Sequence, residues 1–183
     1  MDRRKLILGL GAGAALLLAR SAHAACRATP RDMLGPFYLP DQPPQEDLCR
    51  AGKGERLTVT GRVLGLPDCR PLAGALVEVW QADAKGEYTL VGGGKPDPDC
   101  LLRASVKADA EGRYRYSTIL PGRYPGRPRH IHYRASHPDY RALVTQLYFR
   151  GDPDSERVGG LAIALVTGGT GYAGSFDVVL MPK

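Results

Sequence analysis

The chain has 183 residues and a formal net charge of +6, with 25 Lys and Arg against 19 Asp and Glu. This length is enough for one domain with a proper hydrophobic core. The basic residues form neither a contiguous basic helix nor an aromatic-basic array, so the composition gives no support to nucleic-acid binding. Removal of residues 1–24 would lower the formal charge from +6 to +3, because four basic residues and Asp2 lie there.

Residues 1–24 have the pattern of an export signal. Arg3-Arg4-Lys5 forms a basic start, residues 6–19 are apolar, and Ala22-His23-Ala24 is a small-x-small cleavage motif. The arginine pair resembles a twin-arginine signal. The apolar segment is short for a membrane span, which takes about 20 residues. We therefore expect an exported protein, periplasmic or extracellular, with no stable membrane insertion after signal removal.

Four cysteines follow the predicted signal: Cys26, Cys49, Cys69 and Cys100. An even number of cysteines in an oxidising compartment predicts two disulfides, and three pairings are compatible with the sequence. The sequence contains no Cys-x-x-Cys motif, so zinc–thiolate and thioredoxin-like sites find no support.

An extended N-terminal arm, residues 25–56, precedes a segment with the pattern of β-structure, residues 57–183. The arm is rich in Pro, Asp, Gln and Arg and lacks a helical period. Beyond it, apolar and polar residues alternate with period two. About eight short strands and no long helix predict an all-β fold, an antiparallel sandwich or barrel. The predicted strands are 57–63, 75–81, 101–106, 114–118, 130–135, 143–148, 161–166 and 175–180.

Two histidines and two tyrosines form a candidate metal-binding set. His130 and His132 are two residues apart in a predicted strand, so both imidazoles project from one face. Tyr124 precedes them in a Gly/Pro-rich turn, and Tyr88 follows the strand 75–81. His-x-His alone is more often structural, but two phenols beside it suit Fe(III), a hard ion that holds phenols deprotonated at neutral pH. Two tyrosinates and one hydroxide would also balance its charge.

Several further segments accompany these residues, and their order along the chain is part of the pattern. They are Gly35–Tyr38, Val77–Asp83, Gly86–Tyr88, Asp109–Tyr114, Pro121–Pro125, Arg127–His132 and Thr145–Asp152. Together they resemble the intradiol ring-cleavage dioxygenases, the family of the catechol and protocatechuate dioxygenases. The resemblance implies a β-sandwich that binds one non-haem Fe(III) per chain. The ligands implied by the resemblance are Tyr88, Tyr124, His130 and His132.

The same resemblance implies a reaction and three catalytic side chains. A small aromatic diol of the catechol type would be cleaved by O2 to a muconate-type diacid. Tyr124 would leave the metal and accept a proton, and Arg127 would stabilise negative charge that develops on the ring. Gln146 would orient oxygen or hold Arg127 in place.

Three features depart from the best-known members of that family. Only five residues separate Tyr124 from His130, the N-terminal helical dimerisation region is absent, and an export signal is present. These departures imply a less covered site that acts on larger or unusual diols. The sequence leaves homo-oligomerisation open.

Two other functions remain compatible with the sequence. One is a non-catalytic extracytoplasmic β-sandwich that binds a ligand or partner on the same scaffold. The other is a zinc hydrolase built on His130 and His132, for which no third histidine or acidic ligand lies at short spacing. Two further assignments stay open. Tyr38 either lines a substrate pocket or packs beneath the arm, and Arg123 and Arg129 are either solvated charges or anion ligands.

Overall fold

The computed structural model describes residues 26–88, 95–124 and 126–183, which leaves the predicted export signal outside the described residues. Within those ranges the fold is all-β, and its only helical element is a short 3₁₀ segment, Ser155–Leu161. No helix among the described residues has the length and apolar character needed to cross a membrane. The strands are β1 (Arg56–Gly65), β2 (Arg70–Pro71), β3 (Leu76–Gln81), β4 (Arg103–Lys107), β5 (Arg113–Ile119), β6 (His130–His137), β7 (Tyr140–Phe149), β8 (Ala162–Ile163), β9 (Val166–Gly168), β10 (Gly171–Ser175) and β11 (Val178–Leu180).

Two sheets form a sandwich around one main core. The first sheet has the order β11-β1-β10-β9, with β2 and β5 also paired to β1, and the second has the order β4-β3-β6-β7-β8. The predicted β-sandwich is confirmed. Its sheets are mixed rather than purely antiparallel, because β1 pairs in parallel with β10 and β11, and β7 pairs in parallel with β8.

Two of the predicted strands are divided in the structure. The strand expected over residues 175–180 is interrupted at Asp177, whose side chain accepts a hydrogen bond from the Arg62 amide at 2.8 Å in place of a backbone partner. The run expected as one strand over residues 161–166 contributes to both sheets. Its first half is β8 beside β7, and its last residue begins β9 beside β10. Sequence periodicity cannot reveal such a crossing, because both halves are equally apolar.

Alternating residues of the strands supply the core. Leu57, Val59 and Val63 of β1 are fully buried, and the alternate positions Thr58, Thr60 and Arg62 are more exposed. Tyrosines also lie in this core, and their hydroxyls are satisfied there. Tyr116 and Tyr133 hydrogen-bond to each other, and Tyr114 donates to the Phe176 carbonyl. Such pairing removes most of the cost of burying polar groups.

The arm that precedes β1 closes one side of the sandwich. Pro44 pairs with Ser105 of β4, and Asp47 pairs with Ser117 of β5, so the arm links the two sheets. Disulfides Cys26–Cys69 and Cys49–Cys100 fasten both ends of this segment to the rest of the chain. The structure thereby selects one of the three pairings that the sequence allows.

Candidate metal centre and active site

Strands β3, β6 and β7 place the candidate functional side chains in rows on one sheet face. Trp80 lies opposite His132, which lies opposite Gln146, and His130 lies opposite Tyr148. Directly paired residues share a face, so these five side chains are neighbours. The alternate residues of the same strands, such as Ile131 and Leu147, enter the hydrophobic core. The site is therefore built on the rigid part of the fold.

The hydrogen bonds of His130 define its tautomer. Its Nδ1 lies 2.8 Å from the Pro128 carbonyl oxygen, which can only accept, so Nδ1 carries the proton. Nε2 therefore presents a lone pair, and the Tyr124 hydroxyl lies 3.3 Å from it. Burial lowers the pKa of His130, and the Arg127 charge acts in the same direction. A neutral imidazole with Nε2 free is the form that binds metals.

His132 is enclosed without a polar partner. Its side chain lies parallel to Trp80, with ring centroids 5.0 Å apart. Within the described residues neither ring nitrogen makes a hydrogen bond. Burial lowers the pKa of His132 to about 3, and the His130 and Arg127 charges add to this effect. The Met33 carbonyl acts in the opposite direction but does not reach hydrogen-bond geometry. His132 is thus a buried neutral imidazole with an unused lone pair.

A tight turn after β3 positions Tyr88 at the candidate site. One carboxylate oxygen of Asp83 accepts hydrogen bonds from the Lys85 amide at 2.8 Å and from the Glu87 amide at 2.9 Å. Gly86 has φ +89°, and a Cβ there would lie 2.2 Å from the Arg123 carbonyl oxygen. Only glycine fits this position, because a side chain would collide with the segment that carries Tyr124. The turn therefore brings the two tyrosine-bearing segments into contact.

The Tyr88 hydroxyl is also a buried group without a partner. No described atom hydrogen-bonds to it, and its ring lies against Phe37 with centroids 4.0 Å apart and planes 14° apart. Burial raises the pKa of Tyr88, and the neighbouring Tyr124 raises it further. The Arg127 charge and the Ala82 amide oppose this shift, although the amide does not reach hydrogen-bond geometry. Without a metal, Tyr88 is a neutral phenol.

Asp152 fixes the segment that carries Tyr124. Its carboxylate is 7% exposed, accepts a hydrogen bond from the Arg129 amide at 2.8 Å, and lies 3.6 Å from the Arg123 side chain. The Arg129 side chain lies 3.9 Å from the same carboxylate. The two arginines therefore face Asp152, which supports a structural role over the anion-ligand alternative. Burial raises the pKa of Tyr124, while the Arg127 charge lowers it.

Arg127 belongs to a network with two residues that the sequence did not single out, Tyr148 and Asp32. Its Nη2 donates to Gln146 Oε1 at 2.6 Å and to the Tyr148 hydroxyl at 2.9 Å. The Tyr148 hydroxyl lies 2.9 Å from Asp32 Oδ2, and Gln146 Nε2 donates to the Met33 carbonyl at 2.8 Å. Gln146 is therefore placed to hold Arg127. Tyr148 lies two residues after Gln146 on a predicted strand, and this spacing could have identified it as a neighbour on the same face. Asp32 has no such sequence signal.

The arm covers one side of this site. Gly35 has φ +71°, and a Cβ there would lie 3.0 Å from the His132 ring. Tyr38 packs on Trp80 with ring centroids 4.9 Å apart, and its hydroxyl donates to Glu78 Oε1 at 3.0 Å. Of the two roles that the sequence left open for Tyr38, packing beneath the arm is the one that these contacts support.

The four predicted ligands form a closed ring of neighbours. Ring centroids are 6.1 Å apart for Tyr88 and Tyr124, and 5.3 Å apart for Tyr124 and His130. They are 4.8 Å apart for His130 and His132, and 6.3 Å apart for His132 and Tyr88. Two of the four carry buried polar atoms with no partner, which is the arrangement expected of a site that a ligand completes. Two phenols with two neutral imidazoles fit ferric iron.

No group of three or more His, Cys, Asp and Glu side chains with metal-binding geometry occurs in the described part of the chain. The third ligand that a zinc hydrolase would need is thus not found beside His130 and His132 there. The donors that the structure brings together with His130 and His132 are the phenols of Tyr88 and Tyr124, and phenolate oxygens suit a hard trivalent ion better than zinc.

Comparison with known proteins places the chain in a family. The family described as dioxygenase matches residues 33–157. The sequence is 37% identical over 147 residues to catechol 1,2-dioxygenase 2 of Acinetobacter lwoffii, covering 68% of this chain and 52% of that protein. It is 47% identical over 112 residues to the protocatechuate 3,4-dioxygenase beta chain of Burkholderia cepacia, covering 55% of this chain and 47% of that one.

Solved structures agree with this placement. The dioxygenase domain of a dioxygenase–carbohydrate-binding protein fusion from Streptomyces sp. SirexAA-E superposes with a TM-score of 0.75 at 38% identity, covering 86% of this chain and 100% of that one. The chain therefore belongs to the intradiol ring-cleavage dioxygenase family. It spans about half the length of the curated relatives it matches.

Proposed function

We propose that this protein is a non-haem ferric intradiol dioxygenase. The substrate is a catechol-type diol, the bond between its two hydroxylated carbons breaks, and both atoms of one O2 enter a muconate-type diacid. The family membership and the printed activities of the relatives support this reaction class. Tyr88, Tyr124, His130 and His132 would hold the iron, which would bind both oxygens of the diol and activate its ring toward O2.

The single observation that carries this proposal is the set of buried, unpartnered donor atoms on Tyr88 and His132. A pure binding module gains nothing from them, because each unsatisfied buried polar group costs about 1–3 kcal/mol. A bound metal repays that cost. The observation therefore favours a metal-dependent enzyme over the non-catalytic alternative.

The surrounding side chains have separate tasks in the proposed reaction. Tyr124 is less enclosed than Tyr88, so its tyrosinate is the one that an incoming diol can reach and to which the diol can give a proton. Arg127 carries a fixed positive charge whose field reaches all four ligands. That charge stabilises negative charge developing on the ring. Gln146 and Tyr148 hold the guanidinium in place.

The test is oxygen consumption by the ferric protein with a panel of catechols, combined with mass spectrometry of the product. We expect one O2 consumed per diol and a product heavier by two oxygen atoms. Arg127→Ala should lower kcat by about 100-fold, the usual cost of losing one stabilising charge or donor. Arg115→Ala, which removes an exposed arginine from β5 in the other sheet, is the matched control and should leave kcat unchanged.

Failure of this test has a definite meaning. If the ferric protein consumes no oxygen with any catechol in the panel, and Arg127→Ala behaves as wild type, the dioxygenase proposal is wrong. The non-catalytic binding module then becomes the better account of the scaffold.

We also propose that the protein acts outside the cytoplasm. The two disulfides that tie the arm to the sandwich support an oxidising compartment. Replacement of the signal's arginine pair by lysines should leave the protein in the cytoplasm if export uses the twin-arginine route. Fractionation of cells that express the wild-type and variant chains measures this. Equal export of both would contradict that route, and recovery of the wild type in the cytoplasm would contradict export itself.

A further inference from the structure

Within the described part of the chain, the Tyr88 phenol is oriented by packing alone. Its hydroxyl makes no hydrogen bond to any described atom, so no polar contact holds the ring in one plane. Its nearest aromatic neighbour is Phe37, with centroids 4.0 Å apart and planes 14° apart. The other two rings that approach it, Tyr124 and His132, lie at 6.1 Å and 6.3 Å and are steeply inclined. Among the residues that the structure describes, Phe37 is thus the one ring that lies flat against Tyr88.

Phe37 is itself held on both sides along the chain. Two residues before it, Gly35 passes over the His132 ring in a left-handed conformation. The next residue, Tyr38, packs on Trp80 and donates a hydrogen bond to Glu78, whose other carboxylate oxygen pairs with Arg134. The contacts of Gly35 and Tyr38 therefore hold Phe37 in position as part of the docked arm.

We propose that Phe37 is a positioning residue for Tyr88, which fixes the plane of the phenol so that its hydroxyl faces His132 and Tyr124. This inference rests on the metal site of the proposed function. It adds that the arm belongs to that site, because the stack exists only when the arm is docked. Metal binding and arm docking then strengthen each other by the same factor, as linkage requires.

The first experiment measures ferric iron affinity and the tyrosinate-to-iron absorption band in Phe37 variants. Phe37→Leu keeps an apolar side chain but removes the stack. We expect iron to bind about 10–100-fold more weakly, as when other supports of metal ligands are lost, and the band to shift. Phe37→Tyr restores a stacking ring and should recover both properties.

Tyr38→Phe is the matched control. It removes the hydrogen bond to Glu78 but keeps the Tyr38 ring, the docked arm and the Phe37–Tyr88 stack. Its affinity and band should stay close to wild type, even where its thermal stability falls as much as that of Phe37→Leu. Equal losses in both variants would show that the arm acts only through stability, and that result would overturn the inference.

The second experiment measures amide hydrogen exchange in the arm. The Asp32 amide donates to the Val144 carbonyl at 3.0 Å, so its exchange reports docking of the arm on β7. Loading with Fe(III), or with redox-inert Ga(III), should slow exchange at Asp32 in the wild type and have little effect in Phe37→Leu. Equal slowing in both proteins would contradict the coupling.

The two proposals fail in different ways. A wild-type protein that binds iron without any tyrosinate band overturns the ferric tyrosinate site, and with it the role of Phe37. A wild-type protein that shows the band while Phe37→Leu matches it in affinity, band position and exchange overturns only the role of Phe37.

Discussion

The two halves of the candidate site are held by different forces. Tyr124 and His130 lie six residues apart and hydrogen-bond to each other, and His130 is fixed by the Pro128 carbonyl. Tyr88 and His132 have no hydrogen-bond partner among the described residues, and each lies flat against an apolar aromatic ring, Phe37 or Trp80. One half is satisfied without a metal. The other half is left unsatisfied.

This difference indicates how strongly each half of the site depends on a bound metal. In the metal-free protein the local half needs no further partner, because the Tyr124 hydroxyl donates to His130 Nε2. The stacked half has no alternative partner, so its free energy depends most strongly on a bound metal. The following substitutions test this division through the free energy of unfolding of the metal-free protein, from the largest change to the smallest.

Loss of Asp152 should have the largest effect, on the local half. Asp152→Ala leaves the Arg129 amide without its acceptor and the Arg123 and Arg129 side chains without their ion pair. We expect a loss of about 2 kcal/mol, because the Arg129 amide loses its acceptor, while the two arginine side chains are 43% and 41% exposed and can be hydrated instead. Glu156→Ala, which removes an exposed carboxylate nearby, is the control for urea unfolding. A similar small loss in both variants would contradict the anchoring role of Asp152.

Tyr148→Phe should cost less, about 1.5 kcal/mol. The change removes the hydroxyl that accepts from Arg127 and donates to Asp32, and hydrogen bonds to charged groups contribute about 1.5–3 kcal/mol. In the ferric enzyme, kcat should fall while iron affinity stays unchanged, since no proposed ligand is touched. Weaker iron binding in this variant, with unchanged kcat, would contradict the role of Tyr148 as a residue that holds Arg127.

Tyr88→Phe should raise the stability of the metal-free protein by about 1 kcal/mol, because it removes a buried hydroxyl that has no partner. The same variant should lose iron affinity by more than about 100-fold, beyond the usual cost of disturbing a ligand's support. Chelator competition and urea unfolding give the two values. A loss of stability would mean that the hydroxyl has a partner in solution.

Tyr124→Phe should change stability least, with a loss of about 0.5 kcal/mol. Its hydroxyl makes one long hydrogen bond, 3.3 Å to His130, in a half-buried position. The two halves of the site differ most clearly in this result, because Tyr88→Phe and Tyr124→Phe should change the free energy of unfolding with opposite signs. Equal signs would show that the two phenols are held alike.

The sequence predicted much of this molecule because its signals are local. Period-two alternation identified β1, β3, β6 and β7, and the spacing of His130 and His132 placed both imidazoles on one face. The turn before His130 and the turn after strand 75–81 added Tyr124 and Tyr88 as candidates, and the resemblance to a family supplied Arg127 and Gln146. The structure brings all of these residues together.

The residues that the sequence missed act through contacts between distant segments. Phe37 and Asp32 lie in an arm without periodicity, yet they meet Tyr88 and Tyr148 across the site. Asp152 contacts Arg123 and Arg129 across a loop. The sequence does not reveal this contact, and the two arginines were therefore expected to be either solvated charges or anion ligands. The parallel pairing of β10 and β11 with β1 is also non-local. None of these contacts has a periodic signature.

The most direct test of the four-residue site is a titration of the metal-free protein with ferric iron, followed by visible absorption. We expect one iron per chain and a tyrosinate-to-iron charge-transfer band that shifts when a catechol is added without oxygen. The band should be absent in Tyr88→Phe when iron is supplied at the concentration that saturates the wild type. A wild-type protein that binds iron and stays colourless would contradict the account, because no tyrosinate would then hold the metal.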